Sequence, residues 1–517
     1  MKYLIVIGFL LSFTCFGQTV TGHVLDSKKE PIPGVKVYNK QQRLFARSDV
    51  DGMFTIKAKD FDSLMFTLNG FDTVVMLVEL TDITKIELNI VLYEKTQSID
   101  EVNIIQKRMA SFDVGFLPPV KGVQIYTGTN AVIELSNLSG AKSSGNPREL
   151  FAKVPGLNIW ESDGAGIQMG IGGRGLSPDR TANFNTRQNG YDISADALGY
   201  PESYYTPPLE GLKSIEIIRG SASLQFGTQF GGLLNFIIKD PPTNTPFEFT
   251  TRNTGGMYGY LGTFNRIAGT HKRFSYQAYY QYKRGNGYRD NSKFQQHQAF
   301  AQLGYYITEN SQVKVEYTHM NYLAQQAGGL TDLQFENDAK QSIRDRNWFN
   351  VNWNILALHY DYEISDKAHF NVRAFGMMSS RETLGFLGKI TQADPGGVRD
   401  MISGEFKNAG IETRFLKRYY ANRDTSKVSF KGAFLLGARY YKGNSSALQG
   451  RATDGDNADF TYQNPDNLEN SSFSYPSNNL ALFAENIFFI GSKWTINAGM
   501  RYEHIKSGSL GYYKQYA

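Results

Sequence analysis

Cysteine is nearly missing from this sequence. Its one copy in 517 residues, Cys15, lies in the first apolar stretch, so the rest holds neither a disulfide framework nor a thiolate metal site. Long apolar runs are missing too. Nowhere do eighteen or more apolar residues follow one another, which excludes a helical membrane span. The 54 basic and 49 acidic residues leave a net charge of +5 with no basic run, a balance that argues against a nucleic-acid partner. Catalytic signatures are lacking as well: there is no His-Glu-x-x-His, no Gly-x-Ser-x-Gly elbow and no phosphate loop, and the seven histidines are scattered. We expect no enzyme, no cofactor and no metal centre. The Asp51-Gly52 pair, which could hint at calcium, is accounted for by a β-turn.

What the sequence does have is rings and glycine. Tyr (31) and Phe (35) bring aromatics to 14%, and glycine reaches 51, a mixture suited to a β-rich protein with amphipathic rings at a membrane interface. The chain opens on Lys2 and an apolar core from Leu4 to Phe16, with small Gly17 before Gln18. Residues 1–17 therefore read as a cleaved signal peptide. Acylation at Cys15 is the lesser reading, since Phe13 and Thr14 are poor residues to precede a lipid-modified cysteine.

From Gln18 to Tyr93, short alternating runs are separated by turn signals. Val20, Gly22 and Val24 lead. Pro31, Pro33 and Gly34 turn the chain before Val35, Val37 and Tyr38. Asp49, Asp51 and Gly52 turn it into Phe54 and Ile56, and Leu64, Phe66, Leu68 and then Ile86, Leu88, Ile90, Leu92 follow. The pattern predicts an antiparallel β-sandwich. On Gly34, Val35, Val37, Asp51, Gly52, Phe54 and the Gly70-Phe71 pair it resembles the carboxypeptidase-regulatory-like domain that often precedes outer-membrane receptors in Bacteroidetes, a module that is not itself an enzyme. Residues 94–119 read as a polar linker. It carries Asp100, Glu101, Val102, Asn103, Ile104 and Ile105, an acidic pair followed by alternating β-formers, able to add as a strand to a partner's sheet edge. A last strand of the sandwich is the other reading.

Residues 120–242 hold an ordered series of motifs. Glu149 to Val154 reads as a helix stopped by Pro155 and Gly156, then a strand through Leu157 and Ile159. Gly172-Gly173-Arg174-Gly175 and Asn189-Gly190-Tyr191 follow. The run Leu212 to Arg219 enters Gly220 through Gly227, and Gly231-Gly232 opens a last strand to Lys239. In this order and spacing the series resembles the plug domain of TonB-dependent receptors, with Ser221 standing where many relatives carry proline. The resemblance implies that Pro155, Gly156, Gly175, Glu216, Arg219, Gly220, Gly227, Gly231 and Gly232 shape a plug. It implies that the charges of Arg174, Glu216 and Arg219 face other plug charges or charges of the barrel wall. It also implies that Asp100–Ile105 is a TonB box, gripped by the energy-coupling protein TonB.

Residues 243–517 change to long strands at period two. Phe274, Tyr276, Ala278, Tyr280 and Tyr282 share one face, and Ser275, Gln277, Gln281 and Lys283 the other. Trp494, Ile496, Ala498, Met500 and Tyr502 stand against Thr495, Asn497, Arg501 and Glu503. Connections alternate. Short ones fall near residues 269–272, 308–311, 365–367 and 491–492, with a slightly longer one ending at Thr425-Ser426. Long ones fall near 285–293, 323–349, 382–402 and 442–477. This predicts a transmembrane antiparallel β-barrel in outer-membrane lipid, with short periplasmic turns and long outer loops. His319, His359 and His369 lie in or beside its strands and read as lumen-facing polar residues. About eleven strands are countable against the 22 of plugged transporters. At about 25 residues per strand and loop, about 270 more would be needed, so the chain reads as a fragment or truncated product. The expected fold class is an all-β membrane protein with a small α+β plug: sandwich, plug and truncated barrel.

Ligand contacts are expected on the plug's outer face, at Arg174, Arg180, Asn185, Arg187, Gln188, Tyr204 and Tyr205, because arginine forks clamp carboxylates and anionic chelates. The same arginines equally suit salt bridges from plug to wall. Arg344 and Arg346 in a long loop are secondary candidates. The stretch Arg219 to Lys239 most resembles the ferric-citrate and siderophore branch, which implies energy-coupled import of a small ferric chelate. A glycan importer of the starch-utilisation type, a transducing receptor and a passive porin or adhesin are the competing readings.

Overall fold

The computed structural model describes residues 18–27, 29–39, 44–59, 62–68, 71, 73–78, 86–93, 114–126, 130–135, 147–161, 169–173, 175–196, 202–219, 224–227, 231–243, 245–420, 430–490 and 494–514. The signal-peptide range, Asp100–Ile105, Arg174 and Gly220 lie outside them, as do the side chains of Arg180 and Arg219. The chain divides into two compact units, residues 1–103 and 104–517.

The first unit contains β1 (Gln18–Leu25), β2 (Lys36–Asn39), β3 (Leu44–Arg47), β4 (Met53–Ala58), β5 (Ser63–Thr67), β6 (Val74–Leu77) and β7 (Ile86–Val91). They form two sheets, β4-β1-β7 and β3-β2-β5-β6. Alternation builds the core: every second residue of β4 is buried, and Phe54 and Ile56 pack with Val20, Val37, Leu64, Phe66 and Ile90. The sequence predicts wholly antiparallel pairing, but β7 runs parallel to β1. The chain crosses from the second sheet back to the first between β6 and β7. It reaches the edge of β1 that the antiparallel partner β4 leaves open.

The second unit opens with β8 (Val114–Gly115), β9 (Val120–Lys121), β10 (Gln124–Ile125), β11 (Asn130–Glu134), α1 (Arg148–Phe151), β12 (Leu157–Glu161), β13 (Met169–Gly173), β14 (Phe184–Gln188), β15 (Tyr191–Asp192), β16 (Leu212–Arg219) and β17 (Gly232–Ile238). Six of these make one sheet in the order β15-β14-β17-β16-β11-β8. Because β8 pairs with β11, the plug sheet begins inside the stretch that the sequence assigns to the linker. The helix is also shorter than expected. It ends at Phe151, ahead of Val154, whose helical conformation Pro155 disfavours. Gly156, Gly175, Gly227 and Gly232 take φ of 80°, 77°, 84° and 116°. A Cβ on Gly231 would lie 2.6 Å from the Asn183 carbonyl. Asn189 and Gly190, both at positive φ, close the two-residue hairpin between β14 and β15, the conformation that Asn-Gly favours.

Eleven strands then follow in one antiparallel path: β18 (Glu248–Gly255), β19 (Leu261–His271), β20 (Phe274–Gly285), β21 (Phe294–Thr308), β22 (Ser311–Gln325), β23 (Trp348–Ser365), β24 (Ala368–Gly385), β25 (Asp400–Tyr420), β26 (Phe430–Arg451), β27 (Ser471–Ile490) and β28 (Trp494–Ser507). A short α2 (Asp332–Asn337) sits in one outer loop, and β29 (Leu510–Tyr513) pairs with β27. Connections at 272–273, 309–310 and 366–367 are two residues long and alternate with long ones, as the sequence predicts. The outer loops are tighter than expected, at 326–347, 386–399 and 452–470, because β25, β26 and β27 run for 21, 22 and 20 residues. About ten residues are enough to cross a bilayer, so these strands continue well beyond it. Gln277, Gln281 and Lys283 are buried in the lumen while Phe274 and Tyr280 are exposed. On β28, at the end of the path, both faces are exposed.

Leu436 is 51% exposed on the outer face of β26. Leu436→Arg should destabilise the lipid-embedded sheet by about 2–4 kcal/mol, measured by denaturant unfolding of the protein in vesicles. A loss below about 0.5 kcal/mol would place this face away from hydrocarbon.

Candidate functional site

The plug meets the wall through buried charge. Arg187, on β14, projects from a strand whose five residues are all buried, because β15 and β17 flank it on both sides. Its two terminal nitrogens donate to the two carboxylate oxygens of Glu412 on β25, each at 2.9 Å. Its Nε donates to Asn185 Oδ1 at 2.7 Å, and Nη1 also reaches the Gly190 carbonyl. Glu412 is shared with Arg414 at 2.8 Å and Arg439 at 3.4 Å, and Arg439 also holds Asp192 of the plug at 2.6 Å. Burial works against the Arg187 charge, yet Glu412 and Asp192 raise its pKa above the ordinary guanidinium value. It stays a cation.

Further contacts follow the wall in both directions. Asn189 donates to both oxygens of Glu316 on β22, at 2.9 and 3.0 Å, and Gln188 to Thr318 at 3.0 Å. His359 on β23 faces the same Glu316 at 3.6 Å. Tyr441 donates to Asp196 at 2.8 Å, Asn408 to the Ala195 carbonyl at 2.8 Å, and the Gln225 amide to Glu485 at 2.8 Å. Within the plug, Glu216 accepts from Lys121, Tyr126 and Asn235. Apolar packing is continuous across the seam as well: Tyr191, Tyr205 and Phe236 of the plug share a cluster with Tyr279, Phe300, Trp353 and Phe375 of the wall.

At the outer end lies a vestibule in two lobes that share Gln326. One cavity of about 330 Å³ is lined by Trp160, Asp179, Tyr204, Phe349, Arg381 and Thr383, and another of about 570 Å³ by Glu161, Tyr288, Arg289, Phe294 and Tyr322. The Tyr204 ring lies tilted against Phe349 at 5.9 Å and edge-on to Trp353 at 6.0 Å. The outer loops are tied together above it. Arg344 donates to the Gln392, Gly388 and Lys389 carbonyls, Arg399 to Thr453 and Asn457, and Arg346 to Asp394, Gly397 and Asp454. Burial opposes ionisation of Asp394, but hydrogen bonds from Arg346 and the Gly396 amide hold its carboxyl below the usual range.

The sequence places seven ligand contacts at the plug's mouth, and the structure separates them. Tyr204 lines the vestibule. Asn185, Arg187, Gln188 and Tyr205 come together lower down, in the seam, with Tyr205 donating to Gln188 at 2.9 Å. Arg344 and Arg346 tie loops to one another rather than facing the cavity. Sequence reasoning missed Trp160, Asp179, Phe349 and Arg381. It also missed Glu412, although a carboxylate and Arg414 on the polar face of a membrane strand are a readable signal.

Comparison with known proteins agrees with this architecture. Residues 20–104 match the CarboxypepD_reg-like domain, residues 124–233 the TonB-dependent Receptor Plug Domain, and residues 304–515 the TonB dependent receptor-like beta-barrel. The TonB-dependent receptor SusC of Bacteroides thetaiotaomicron is 27% identical over 175 residues, 33% of this chain and 16% of SusC. The ferric citrate transporter FecA in its unliganded form superposes with a TM-score of 0.63 at 20% identity, over 74% of this chain and 57% of FecA. BauA, the ferric preacinetobactin receptor of Acinetobacter baumannii, gives 0.58 at 13%, over 77% and 62%. The chain thus spans less than two thirds of each of these relatives.

Removing one partner of a fully buried pair leaves the other charge stranded, so Arg187→Met should weaken plug docking by about 3–5 kcal/mol, read from the urea dependence of plug release. In a double-mutant cycle with Glu412→Gln, a coupling below about 0.5 kcal/mol would show that the pair does not hold the plug. In the outer loops the sign follows from the lowered Asp394 pKa. The clasp contributes stability above the ordinary carboxylate range, and the contribution is lost as pH falls through the folded value. Limited proteolysis of the loops should therefore accelerate only in acid, and Asp394→Asn should remove that acid step.

Proposed function

We propose that this chain, which belongs to the TonB-dependent receptors of the outer membrane, imports a scarce ligand from the vestibule to the periplasm by energy-coupled rearrangement of its plug. The observation that carries the reading is the buried Arg187–Glu412 pair beneath an outward cavity. The pair defines one docked position of a plug that also packs apolar side chains against the wall, and breaking it is costly enough to call for an energy input. In this reading Asp100–Ile105 is the handle that TonB grips by strand addition. Tyr204, Trp160 and Phe349 offer aromatic faces to the ligand, and Arg381 offers a fork for an anionic group.

The preferred cargo is a ferric chelate, ferric citrate or a siderophore, supported by the likeness to FecA and BauA. A glycan importer is the second reading, favoured by the exposed ring of Trp160 beside Tyr204, since flat aromatic faces suit sugar rings.

Uptake of radiolabelled ferric citrate under iron limitation tests this, with the gene in its full genomic form and with residues 100–105 deleted. We expect uptake in the first strain and none in the second. Uptake that survives the deletion would falsify energy coupling through this strand, and uptake absent from both strains rejects ferric citrate. Tyr204→Ala should raise the half-saturating concentration about tenfold and leave the maximal rate within about twofold.

A further inference from the structure

A third cavity, of about 440 Å³, opens between plug and wall at the end of the short turns. Its lining includes Lys121, Tyr126, Glu216, Lys314, Asp361 and Arg373. At its head the charge does not balance. Arg373 on β24 stands opposite Glu412 on β25, and Arg414 lies two residues further along, so the two guanidiniums are diagonal neighbours on one face. Arg439 of β26 pairs in register with the same Glu412, and Arg187 enters from the plug. Four guanidiniums (Arg187, Arg373, Arg414, Arg439) thus surround two carboxylates, Glu412 and Asp192.

The carboxylate oxygens are consumed before the arginines are. Glu412 gives both oxygens to Arg187 and shares them with Arg414 Nη2 and Arg439 Nε, and Asp192 holds Arg439. Nearby Glu216 is engaged by Lys121, Tyr126 and Asn235. Glu503 and Glu485 are held by Arg501 and by the Gln225 amide. Among the described residues, Nε and Nη1 of both Arg373 and Arg414 are buried with no hydrogen-bond partner. Arg414 is fully buried, its guanidinium over the rings of Phe226 at 5.4 Å and Phe483 at 5.9 Å. Arg373 lies against the plug hairpin so closely that a Cβ on Gly190 would fall 2.7 Å from its Nη1.

We propose that Arg373 and Arg414 form an oxyanion-binding site at the seam, entered from the cavity on the side of the short turns. The free donors of each guanidinium, Nε and Nη1, point from different edges, so a carboxylate or phosphate lodged between the two arginines would take a single donor from each and offset the excess of positive charge. Lys314 on the cavity wall adds a positive charge along the approach, where Asp361 and Glu363 of the same wall oppose it. The site stands on geometry. Its role as a halting point for the acidic group of a ligand leaving the lumen rests on the import reading above.

The test uses the purified full-length receptor in detergent at constant ionic strength, with inorganic phosphate and citrate as probes for calorimetry. A crystal soaked in selenate would locate the anion. We expect binding on the order of millimolar, weakened about tenfold or more by Arg373→Gln and severalfold by the milder Lys314→Gln. The selenate signal should lie within hydrogen-bonding reach of both guanidiniums. Citrate binding much more tightly than phosphate points to cargo as the source of the anion, and equal binding points to a free inorganic ion. Equal binding by wild type and Arg373→Gln overturns the proposal, and so does a folded wild type that binds neither probe or a seam that holds only water. Deleting residues 100–105 leaves this binding unchanged, so failure of the coupling reading is separable from failure of the site.

Discussion

The contact between Arg187 and Glu412 is the constraint around which the lumen is arranged. A guanidinium out of reach of water is tolerated only if a carboxylate meets it in good geometry, and here the fork is met at 2.9 Å on both arms. Meeting that need fixes much else. It sets the register of β14 against β25. It calls for Asn185 and the Gly190 carbonyl to take the remaining donors. It also places Asp192 where Arg439 is able to use it. Such a pair adds little net stability over apolar packing but is costly to half-break, so it defines one docked position sharply.

The outer end follows a different logic. There the arginines chiefly satisfy backbone carbonyls of neighbouring loops, and Arg346 also pairs with the Asp394 carboxylate. Arg344, Arg346 and Arg399 each reach across from one loop to another. The vestibule beneath is walled by rings and by few charges. Ordering the loops in advance removes an entropic penalty that a ligand would otherwise meet on binding.

Much of this was legible in the sequence for one physical reason: period two leaves its mark wherever one face of a strand meets lipid and the other meets polar groups. The sandwich runs and the alternation of loops follow from local chemistry, whereas the plug series is read through its resemblance to a known domain. The parallel β1–β7 pair, the early start of the plug at β8 and the extension of β25–β27 depend on where distant segments meet, which local patterns do not encode. The fate of the arginines was undecided for the same reason. Arg187 suits a ligand or a wall carboxylate equally until Glu412, 225 residues later in the chain, is brought beside it. Trp160 and Phe349 carry no signal of their own, because an aromatic at a strand end is ordinary in this composition.

The order of the plug sheet has a mechanical side. The chain enters it at β8, which is one edge, and the Arg187 strand β14 lies next to the other edge, with β11, β16 and β17 between. Tension applied from the N-terminal side therefore does not load the Arg187–Glu412 pair first. It meets β8, a two-residue strand, and then β11, each held along its length by antiparallel bonds that open one after another like a zip. The ion pair lies at the far end of that path, so a short tug and a long one have different consequences for the same plug.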